Sequence, residues 1–518
     1  MLVLFALASS ACSALTESSS STTRPLGYPT TRGVTTTLPS AAEVAEDDGE
    51  PQQLPQELAM LAVPGWGTVG SFSVRPAATV SVTDFGAVPD DEESDSQAFV
   101  EAVAFARSEQ PMTVTVPPGR FLLTETLALQ SGVALQGSGP DVTFIDLDFD
   151  GRDIEGITMI GSPFGNGDWI SLPTTSELGS TRVAVTESYG AGQIVEIEQD
   201  NVERMRTLPD WDVDWGEGSS GEVAAVVDSG DTTIVLDHVL FDTFDVERNA
   251  RIRPISAVVR SGLESLTLER LDPGYGHTVA IRFAYDVWVR DVDLVRTSRA
   301  HVGIDVAGRC EVSNSRIHGA HDYGDGGRAY GISVARHTTA CLFEQNSLWD
   351  LRHALIIQLG ASGNVFGYND ARGSAGYEDR QPRADISIHG HWPQANLFEG
   401  NVVDRIVFSD WWGPAGPTNV FWRSCALESV LVRDGSNDQA ILASIVGPGG
   451  IGIDDEITGT LVAANVVDGE PLDDVTVIGS DPLPTSLYGA SEDPPTVNGC
   501  LVEASSRNPW AQPGADRP

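Results

Sequence analysis

The chain has 518 residues, of which 41% are hydrophobic and 53 are glycine, enough for a large core with many turns. Its formal net charge of −43 argues against nucleic acid as a partner, because phosphate contacts require a cationic protein face. All 31 basic residues are arginine, which excludes lysine as a base or as a Schiff-base nucleophile.

The first 12 residues are apolar up to Cys12 and are too few to span a membrane. They resemble a secretion signal, or a lipoprotein signal that ends at a lipidated Cys12. Residues 13–78 are rich in Ser, Thr, Pro and Glu, a composition that predicts a disordered tether. We therefore expect a secreted or cell-surface protein whose only membrane contact is a lipid anchor at Cys12.

Residues 79–150 begin with a helical pattern and continue with strand patterns. Between Ser96 and Arg107, the apolar residues Phe99, Val103 and Ala106 fall on one helical face. Such a helix would cover the open end of a stack of strands, whose unpaired edge otherwise favours aggregation. This part is therefore predicted to contain a capping helix and the first coils of a solenoid.

Residues 151–255 break this rhythm. Alternating segments at 179–185, 193–197 and 232–236 are typical of antiparallel strands and predict a small inserted β subdomain. Its acidic, tryptophan-containing loop from Asp210 to Glu217 is interpreted either as a surface loop or as a wall of a sugar-binding cleft.

Residues 256–470 repeat a strand pattern with a period in the low twenties, which indicates a solenoid of stacked β coils. Asn346, Asn369, Asn401 and Asn465 follow the core position by three residues, where stacked asparagines can hydrogen-bond along a ladder. A second strand recurs at 304–306, 332–334, 386–388 and 430–432, and residues 471–518 are expected to form a C-terminal tail. The core position itself is occupied by Val289, Val312, Phe343, Phe366, Phe398, Phe421 and Val462, and the last step is long enough for two coils.

Two cysteines stand two residues before this core position. Stacking would place Cys310 and Cys341 about 4.8 Å apart across the ladder. That separation permits a disulfide, and a stack of two buried thiols fits it equally well.

The order of motifs at the front of the domain carries a family resemblance. Asp-Phe-Gly-Ala at 84–87, the helix, Val-Pro-Pro-Gly-Arg-Phe at 116–121 and Gln-Gly-Ser-Gly at 136–139 resemble the start of the pectin-lyase-like β-helix superfamily. The branch of rhamnogalacturonases, alginate epimerases and phage tailspikes is the most similar. An acidic turn at 90–92 stands where that branch usually has Asp-Gly. The resemblance implies an all-β, right-handed parallel β-helix with an N-terminal capping helix and an inserted β subdomain.

Titratable residues concentrate on one stretch of these repeats. Eight of the nine histidines lie between His277 and His391, in a window with 12 arginines and 13 acidic residues. A nearly neutral window in an otherwise acidic chain is where an anionic ligand would bind.

The loop from His318 to Gly327 is the main candidate for catalysis. His318 or His321 would be the base, Asp322 the carboxylate that orients it, and Tyr323 a second proton donor. A polar turn held by its own hydrogen bonds is the alternative interpretation.

Alignment of the repeats adds further candidates. It places His301, Arg352 and Arg383 in one column and Gln358, His389 and Ser409 in another, and stacked coils bring such residues to within about 5–10 Å. His337 and His353 are expected to be buried. We take Arg352 as a catalytic residue. The candidates for substrate binding are His301, Arg383, His389, His391, Asp410 and Trp411.

These residue types fit an enzyme, a lyase or C5 epimerase, that acts on an acidic, uronate-containing polysaccharide. Arginine would bind the carboxylate, histidine would take the C5 proton and Tyr323 would donate one. No metal site is predicted, because His389 and His391 lack a third ligand, and Ca²⁺ is the one cofactor that an anionic substrate would favour.

Two alternatives remain at this stage. A glycoside hydrolase would use paired carboxylates, drawn from Asp305, Asp322, Asp325 and Asp410. A non-catalytic, adhesive or carbohydrate-binding β-helix would leave the histidines buried or scattered. A monomer is expected in each case.

Overall fold

The computed structural model describes residues 65–109, 111–202, 205, 216–324, 326–375, 384–408, 413–472 and 486–488. The predicted signal and most of the tether lie outside these residues, as do Arg383, Asp410 and Trp411. In the described ranges the chain is almost entirely β, and none of its helices has the length and apolarity needed to cross a membrane.

The N-terminal part contains the predicted capping helix. Helix α1 (Ser96–Ser108) buries Phe99, Val103 and Ala106 against the first strands. These strands are β1 (Thr79–Ser81), β2 (Met112–Thr115), β3 (Gly119–Leu123), β4 (Leu127–Ala128), β5 (Val133–Gln136), β6 (Thr143–Leu147) and β7 (Ile157–Ile160).

A separate antiparallel sheet interrupts the solenoid, as predicted, and we call residues 162–256 the insert. Its strands follow the order β10-β13-β12-β11-β14-β8, with β9 also paired to β14, and enclose a small core of their own. They are β8 (Ser162–Pro163), β9 (Ile170–Ser171), β10 (Arg182–Ala184), β11 (Ile194–Gln199), β12 (Ser220–Ser229), β13 (Thr233–Leu236) and β14 (Arg251–Ser256).

The remaining strands pair in parallel with the coils before and after them, apart from β38, which folds back on β37. They are β15 (Val258–Val259), β16 (Gly262–Arg270), β17 (Val279–Tyr285), β18 (Trp288–Thr297), β19 (Ala300–Gly308), β20 (Glu311–Ser313), β21 (Arg316–Ala320), β22 (Tyr330–Val334), β23 (Leu342–Glu344), β24 (Ser347–Trp349), β25 (His353–Ile357), β26 (Val365–Gly367), β27 (Asp370–Arg372), β28 (Ile386–Ile388), β29 (Leu397–Glu399), β30 (Val402–Phe408), β31 (Val420–Trp422), β32 (Cys425–Val432), β33 (Ala440–Leu442), β34 (Ile445–Val446), β35 (Gly450–Ile453), β36 (Leu461–Ala463), β37 (Val466–Val467) and β38 (Glu470–Pro471).

Three sheets surround one apolar core, which makes the fold a right-handed parallel β-helix. The first sheet contains β20, β23, β26, β29, β31 and β33; the second contains β21, β24 and β27; the third contains β17, β19, β22, β25 and β28. The predicted core column is confirmed, and Ile441 fills the long step before Val462. Within it, the rings of Phe343, Phe366 and Phe398 stack with centroids 4.8 Å apart.

The register of the second repeated strand differs from the predicted alignment at one coil. Ile332 aligns with Ile386 through Leu355, as expected, but Ile304 pairs with Val334 rather than with Ile332. A shift of two residues leaves the alternation of inward and outward side chains unchanged, so hydrophobic pattern alone cannot distinguish the two registers. His301 therefore does not share a column with Arg352.

Asparagines line the turns between the first and second sheets. The side chain of Asn346 donates to the Val312 carbonyl at 2.8 Å and to Oδ1 of Asn369 at 3.0 Å, and its own Oδ1 accepts from the Ser315 amide at 3.1 Å. Asn369 repeats this pattern with Asn401. The predicted ladder is confirmed, and it satisfies backbone groups that the turns would otherwise leave unpaired.

We expect Asn346→Ala to destabilise the β-helix, because Asn346 is 2% exposed and its loss leaves buried groups without partners. Each such group costs about 1–3 kcal/mol. Urea unfolding would measure the loss. Gln345→Ala is the matched control, since Gln345 is exposed in the same turn, and equal losses in both variants would contradict a role for the ladder.

The two stacked cysteines are free thiols in the core rather than a disulfide. Cys310 and Cys341 are both buried, and the Cys310 amide donates to Sγ of Cys341 at 3.2 Å.

The C-terminal tail returns to the first sheet. The Leu487 amide donates to Oε2 of Glu399 at 2.8 Å, and burial raises the pKa of Glu399 to about 7 despite that hydrogen bond. Cys425, on β32, is disulfide-bonded.

The insert packs against the turns that lead from the third sheet to the first. His337, fully buried there as predicted, faces Oε1 of Glu196 with Nδ1 at 2.7 Å and the Gly218 carbonyl with Nε2 at 2.6 Å. Glu196, Glu198 and His337 could approach one ion, but Arg253 and Arg251 already pair with the carboxylates. This arrangement differs from the all-oxygen cage that Ca²⁺ prefers.

A second buried cluster joins the insert to the β-helix. Nδ1 of His238 donates to Oδ1 of Asp237 at 3.2 Å, and Nε2 lies 3.7 Å from Glu222. Oδ2 of Asp237 accepts from Tyr285 and Arg309 of the β-helix. Burial disfavours the His238 imidazolium, but Asp237 and Glu222 outweigh it and raise the pKa of His238 to about 9.

The stability of the docked insert should therefore depend on pH. The folded pKa of His238 lies above its ordinary value of 6.5, so its contribution is complete below pH 6.5 and is lost as pH rises towards about 9. The urea midpoint of unfolding, measured from about pH 6 to about pH 9.5, would show this loss. His238→Gln should flatten the profile, whereas an unchanged slope would show that another group titrates.

Candidate functional site

The loop between β21 and β22, residues 321–329, crosses from the second sheet to the third and is held by the following coil. Nη1 of Arg352 donates to the Gly324 carbonyl at 3.1 Å. The Tyr323 hydroxyl donates to the Asp350 carbonyl at 3.2 Å. Arg352 and Tyr323, two of the predicted residues, therefore meet at this loop.

Arginines and tyrosines surround the same loop. The guanidinium groups of Arg299 and Arg328 lie 5.3 and 5.4 Å from the centre of the Tyr275 ring, and that of Arg352 lies 5.7 Å from the Tyr330 ring. Cation–π contacts hold these charges beside flat apolar surfaces. Such an edge suits a ligand that combines carboxylates with sugar rings.

His321 has a defined tautomer. Its Nε2 lies 2.9 Å from the Arg270 carbonyl, which can only accept, so Nε2 carries the proton. Nδ1 then holds a lone pair, and no partner for it is found in the part of the chain that the structure describes. The half-buried ring lies at the start of the loop that Arg328 and Arg352 contact.

Asp322 does not orient His321, contrary to the prediction. It forms an ion pair with Arg328 and accepts from the Gly324 amide at 2.8 Å. That amide hydrogen bond, with a smaller contribution from Arg328, lowers the pKa of Asp322. The orienting role belongs to the Arg270 carbonyl, which only the stacking of coils brings close.

His318 lies on a different surface from His321. Strand alternation places it on the outer face of the second sheet, where it stacks on Trp349 with centroids 4.2 Å apart and an interplanar angle of 9°. Its Nε2 lies 3.1 Å from Oδ1 of Asp293. The two predicted bases are therefore separated by the edge between the sheets.

His301 is fully buried under the start of the loop. Its Nε2 donates to the Gly319 carbonyl at 2.9 Å, and Nδ1 has no partner among the described residues. Burial lowers the pKa of His301 to about 3, so the ring is neutral. This placement favours a role in positioning the loop over the predicted contact with substrate.

The outer face of the third sheet continues from this loop towards the insert. Val302 and Ile304 point into the core, so Gly303 and Asp305 point outwards, and Asp305 lies 3.2 Å from Arg282. A Cβ on Gly303 would lie 2.5 Å from the ring of His277, so only glycine fits beneath it. The outward positions of this face include Arg282, Gly303, Asp305, Ser333, Gln358, Ser387 and His389.

His389 and His391 separate at the end of this face. His389 follows β28 at an outward position and is 7% exposed. His391 has a left-handed backbone (φ 57°), is 2% exposed and lies against Gly216 of the insert, where a Cβ would be 2.3 Å from the ring. The outer face of the third sheet is thus bordered by the insert on one side and by the loop at 321–329 on the other. Residues 210–215 of the predicted tryptophan loop lie outside the described ranges.

Arg299, Arg328 and Tyr275 were missed by the sequence analysis. Arg299 immediately precedes β19, as Arg352 precedes β25, and the two-residue register error hid that equivalence. Tyr275 and Arg328 lie in loops that no repeat pattern covers. His353 is only 5% exposed, so the prediction that it is buried is confirmed.

The sheets and the capping helix form a right-handed parallel β-helix, which confirms the fold that the resemblance implies. Residues 79–182 match the family described as rhamnogalacturonase A/epimerase, pectate lyase-like. This match covers the first coils and the beginning of the insert. No curated protein matches the sequence.

Solved structures with a similar fold include a Pseudomonas phage phi297 tailspike, gp61, at 11% identity and TM-score 0.41, covering 77% of this chain and 76% of the tailspike. The A-module of the Azotobacter vinelandii mannuronan C-5 epimerase AlgE4 is 14% identical with TM-score 0.36, covering 75% and 96%. The tailspike of E. coli bacteriophage HK620, solved with a pentasaccharide, is 10% identical with TM-score 0.44, covering 80% and 73%.

Proposed function

We propose that this protein removes the C5 proton of a uronate residue in an acidic polysaccharide, as a lyase or as a C5 epimerase. The observation that carries the proposal is that Nδ1 of His321 has no partner among the described residues. The loop that follows His321 is contacted by Arg328 through Asp322 and by Arg352 through the Gly324 carbonyl. Proton abstraction next to a carboxylate needs a base and a cation that stabilises the negative charge that develops.

Each residue has a distinct part in this reaction. His321 takes the proton through Nδ1 while the Arg270 carbonyl holds Nε2. The arginines bind the substrate carboxylate, and Arg352, 9% exposed, is already anchored by the Gly324 carbonyl. Tyr323, two residues after His321 in the same loop, returns a proton either to the leaving oxygen or to the opposite face of C5.

Hydrolysis is less well supported by the two candidate carboxylates that the structure describes, Asp305 and Asp322. A general acid needs a raised pKa, whereas that of Asp322 is lowered. Asp305 is paired with Arg282. Asp325 and Asp410 lie outside the described residues.

A panel of uronate-containing polysaccharides would test the proposal with two measurements. A lyase yields an unsaturated product with new ultraviolet absorbance, and an epimerase incorporates deuterium at C5 from heavy water. Release of reducing ends without either signal would favour hydrolysis, and no turnover of any kind would favour the binding-only alternative.

We also propose that the protein is exported, as the N-terminal segment predicts. The disulfide at Cys425 supports this, because disulfides persist in oxidising compartments. Mass spectrometry of the mature N-terminus would distinguish cleavage from lipidation at Cys12.

A further inference from the structure

The loop at 321–329 is held at two points by the segment that joins β16 to β17. Nε2 of His321, at the start of the loop, donates to the Arg270 carbonyl at 2.9 Å. In the middle of the loop, the Gly326 carbonyl accepts from the Tyr275 hydroxyl at 2.6 Å. One short segment of an earlier coil therefore fixes both the ring of the proposed base and the turn that follows it.

The backbone on either side of Tyr275 is tightly fixed. The Tyr275 amide donates to Oδ1 of Asp153 at 2.7 Å, and the Gly274 amide donates to Oδ1 of Asp272 at 2.8 Å. A Cβ at Gly274 or at Gly276 would lie 2.1 Å from a backbone carbonyl oxygen of the segment that precedes β7, so only glycine fits at both positions. The Tyr275 side chain is therefore presented by a backbone with little room to move.

The ring of Tyr275 brings together arginines from the next two coils. Arg299 precedes β19 and Arg328 precedes β22, and their guanidinium groups lie 5.3 and 5.4 Å from the centre of the ring. Two cations repel each other, and the negative face of an aromatic ring offsets part of that repulsion. Arg328 also pairs with Asp322, the neighbour of His321. The ring thus links the placement of both arginines to the residue beside the proposed base.

We propose that Tyr275 is a positioning residue for the proposed reaction: its hydroxyl holds the loop of His321 in place, and its ring sets the spacing of Arg299 and Arg328. This inference rests on the proposed function, because both effects act through His321 and through arginines that bind the substrate carboxylate. The two effects are separable. Loss of the hydroxyl should displace the base and lower kcat, whereas loss of the ring should also release the arginines and raise KM.

The test compares Tyr275→Phe and Tyr275→Leu with the same two changes at Tyr368 in the full chain. Tyr368 is also half-buried, but it follows β26 of the first sheet, away from the loop. We expect Tyr275→Phe to lower kcat on the polysaccharide by roughly 3- to 10-fold at an unchanged KM. Tyr275→Leu should lower kcat equally and also raise KM by roughly 3- to 10-fold. Both Tyr368 variants should keep the constants of the unmodified chain.

Limited proteolysis follows the loop without turnover. The chain contains no lysine, so trypsin cleaves only after arginine, and the Arg328 side chain in the loop is 41% exposed. Cleavage after Arg328 should become roughly 5-fold faster in Tyr275→Phe, because the lost hydrogen bond raises the open population of the loop by about that factor. The Tyr368 variants should be cleaved there at the unmodified rate.

Equal kcat, KM and cleavage rates in the Tyr275 and Tyr368 variants would overturn the inference and leave the proposed reaction intact. The same would follow if both Tyr275 variants changed kcat and KM alike and lowered the midpoint of thermal unfolding, since Tyr275 would then be merely structural. If the unmodified chain turns over no polysaccharide, the proposed reaction and the positioning role fail together, even where cleavage is faster. Should Tyr275→Leu not fold, Tyr275→Phe alone decides the role of the hydroxyl through kcat and cleavage.

Discussion

Replacing His321 with glutamine should lower kcat on the polysaccharide substrate by about 10²–10⁴-fold, the usual contribution of a positioned base. Glutamine can still donate a hydrogen bond to the Arg270 carbonyl, so the loop should keep its place. It has no basic lone pair to replace Nδ1. Formation of unsaturated product and deuterium exchange at C5 should fall together, because both begin with removal of the same proton.

His318→Gln separates this assignment from its main competitor. His318 stacks on Trp349 and contacts Asp293 on the outer face of the second sheet. A loss of kcat in His318→Gln with full activity in His321→Gln would move the base to that face. Thermal unfolding of each variant would show whether the fold has changed, since a lower kcat counts only at an unchanged midpoint.

Arg309→Met should destabilise the protein by about 3–5 kcal/mol, since breaking a buried pair leaves an uncompensated charge. Arg309 is 3% exposed and donates to the Asp237 side chain and, at 2.8 Å, to the Asp237 carbonyl. It also donates to the Thr68 carbonyl, so one side chain joins the N-terminal segment, the insert and the β-helix. Methionine would leave Asp237 buried with His238 as its main counter-charge.

Arg296→Met is the control for this prediction. Arg296 pairs with Glu269, but its side chain is 45% exposed, and such pairs contribute about 0–1 kcal/mol. Urea unfolding at pH 6–7, about where His238 is charged, would compare the variants. Equal losses would show that the buried cluster contributes no more than a surface pair. Earlier proteolysis within the insert of Arg309→Met would show that docking fails first.

The repeat explains why so much of the fold could be predicted. Each coil places one apolar residue at the position of Phe366 and, in several coils, one asparagine three residues later, so errors in single coils do not accumulate. The third sheet lacks such a marker. Its strands alternate with period two, and a shift of two residues at Ile304 preserves the pattern while moving His301 out of the column of Arg352.

The amino-acid sequence by itself determined the core column, the asparagine ladder, the capping helix and the presence of the insert, because each depends on periodicity or on short-range chemistry. It also located the loop at 318–327 as polar and rich in histidine. Only the tertiary structure decided which surface each histidine occupies. His318 and His321 are three residues apart, yet the chain turns between two sheets there, and His321 is oriented by a carbonyl 51 residues earlier in the sequence. The arginines and tyrosines around the loop come from separate coils, so their meeting depends on strand register, which local sequence does not encode.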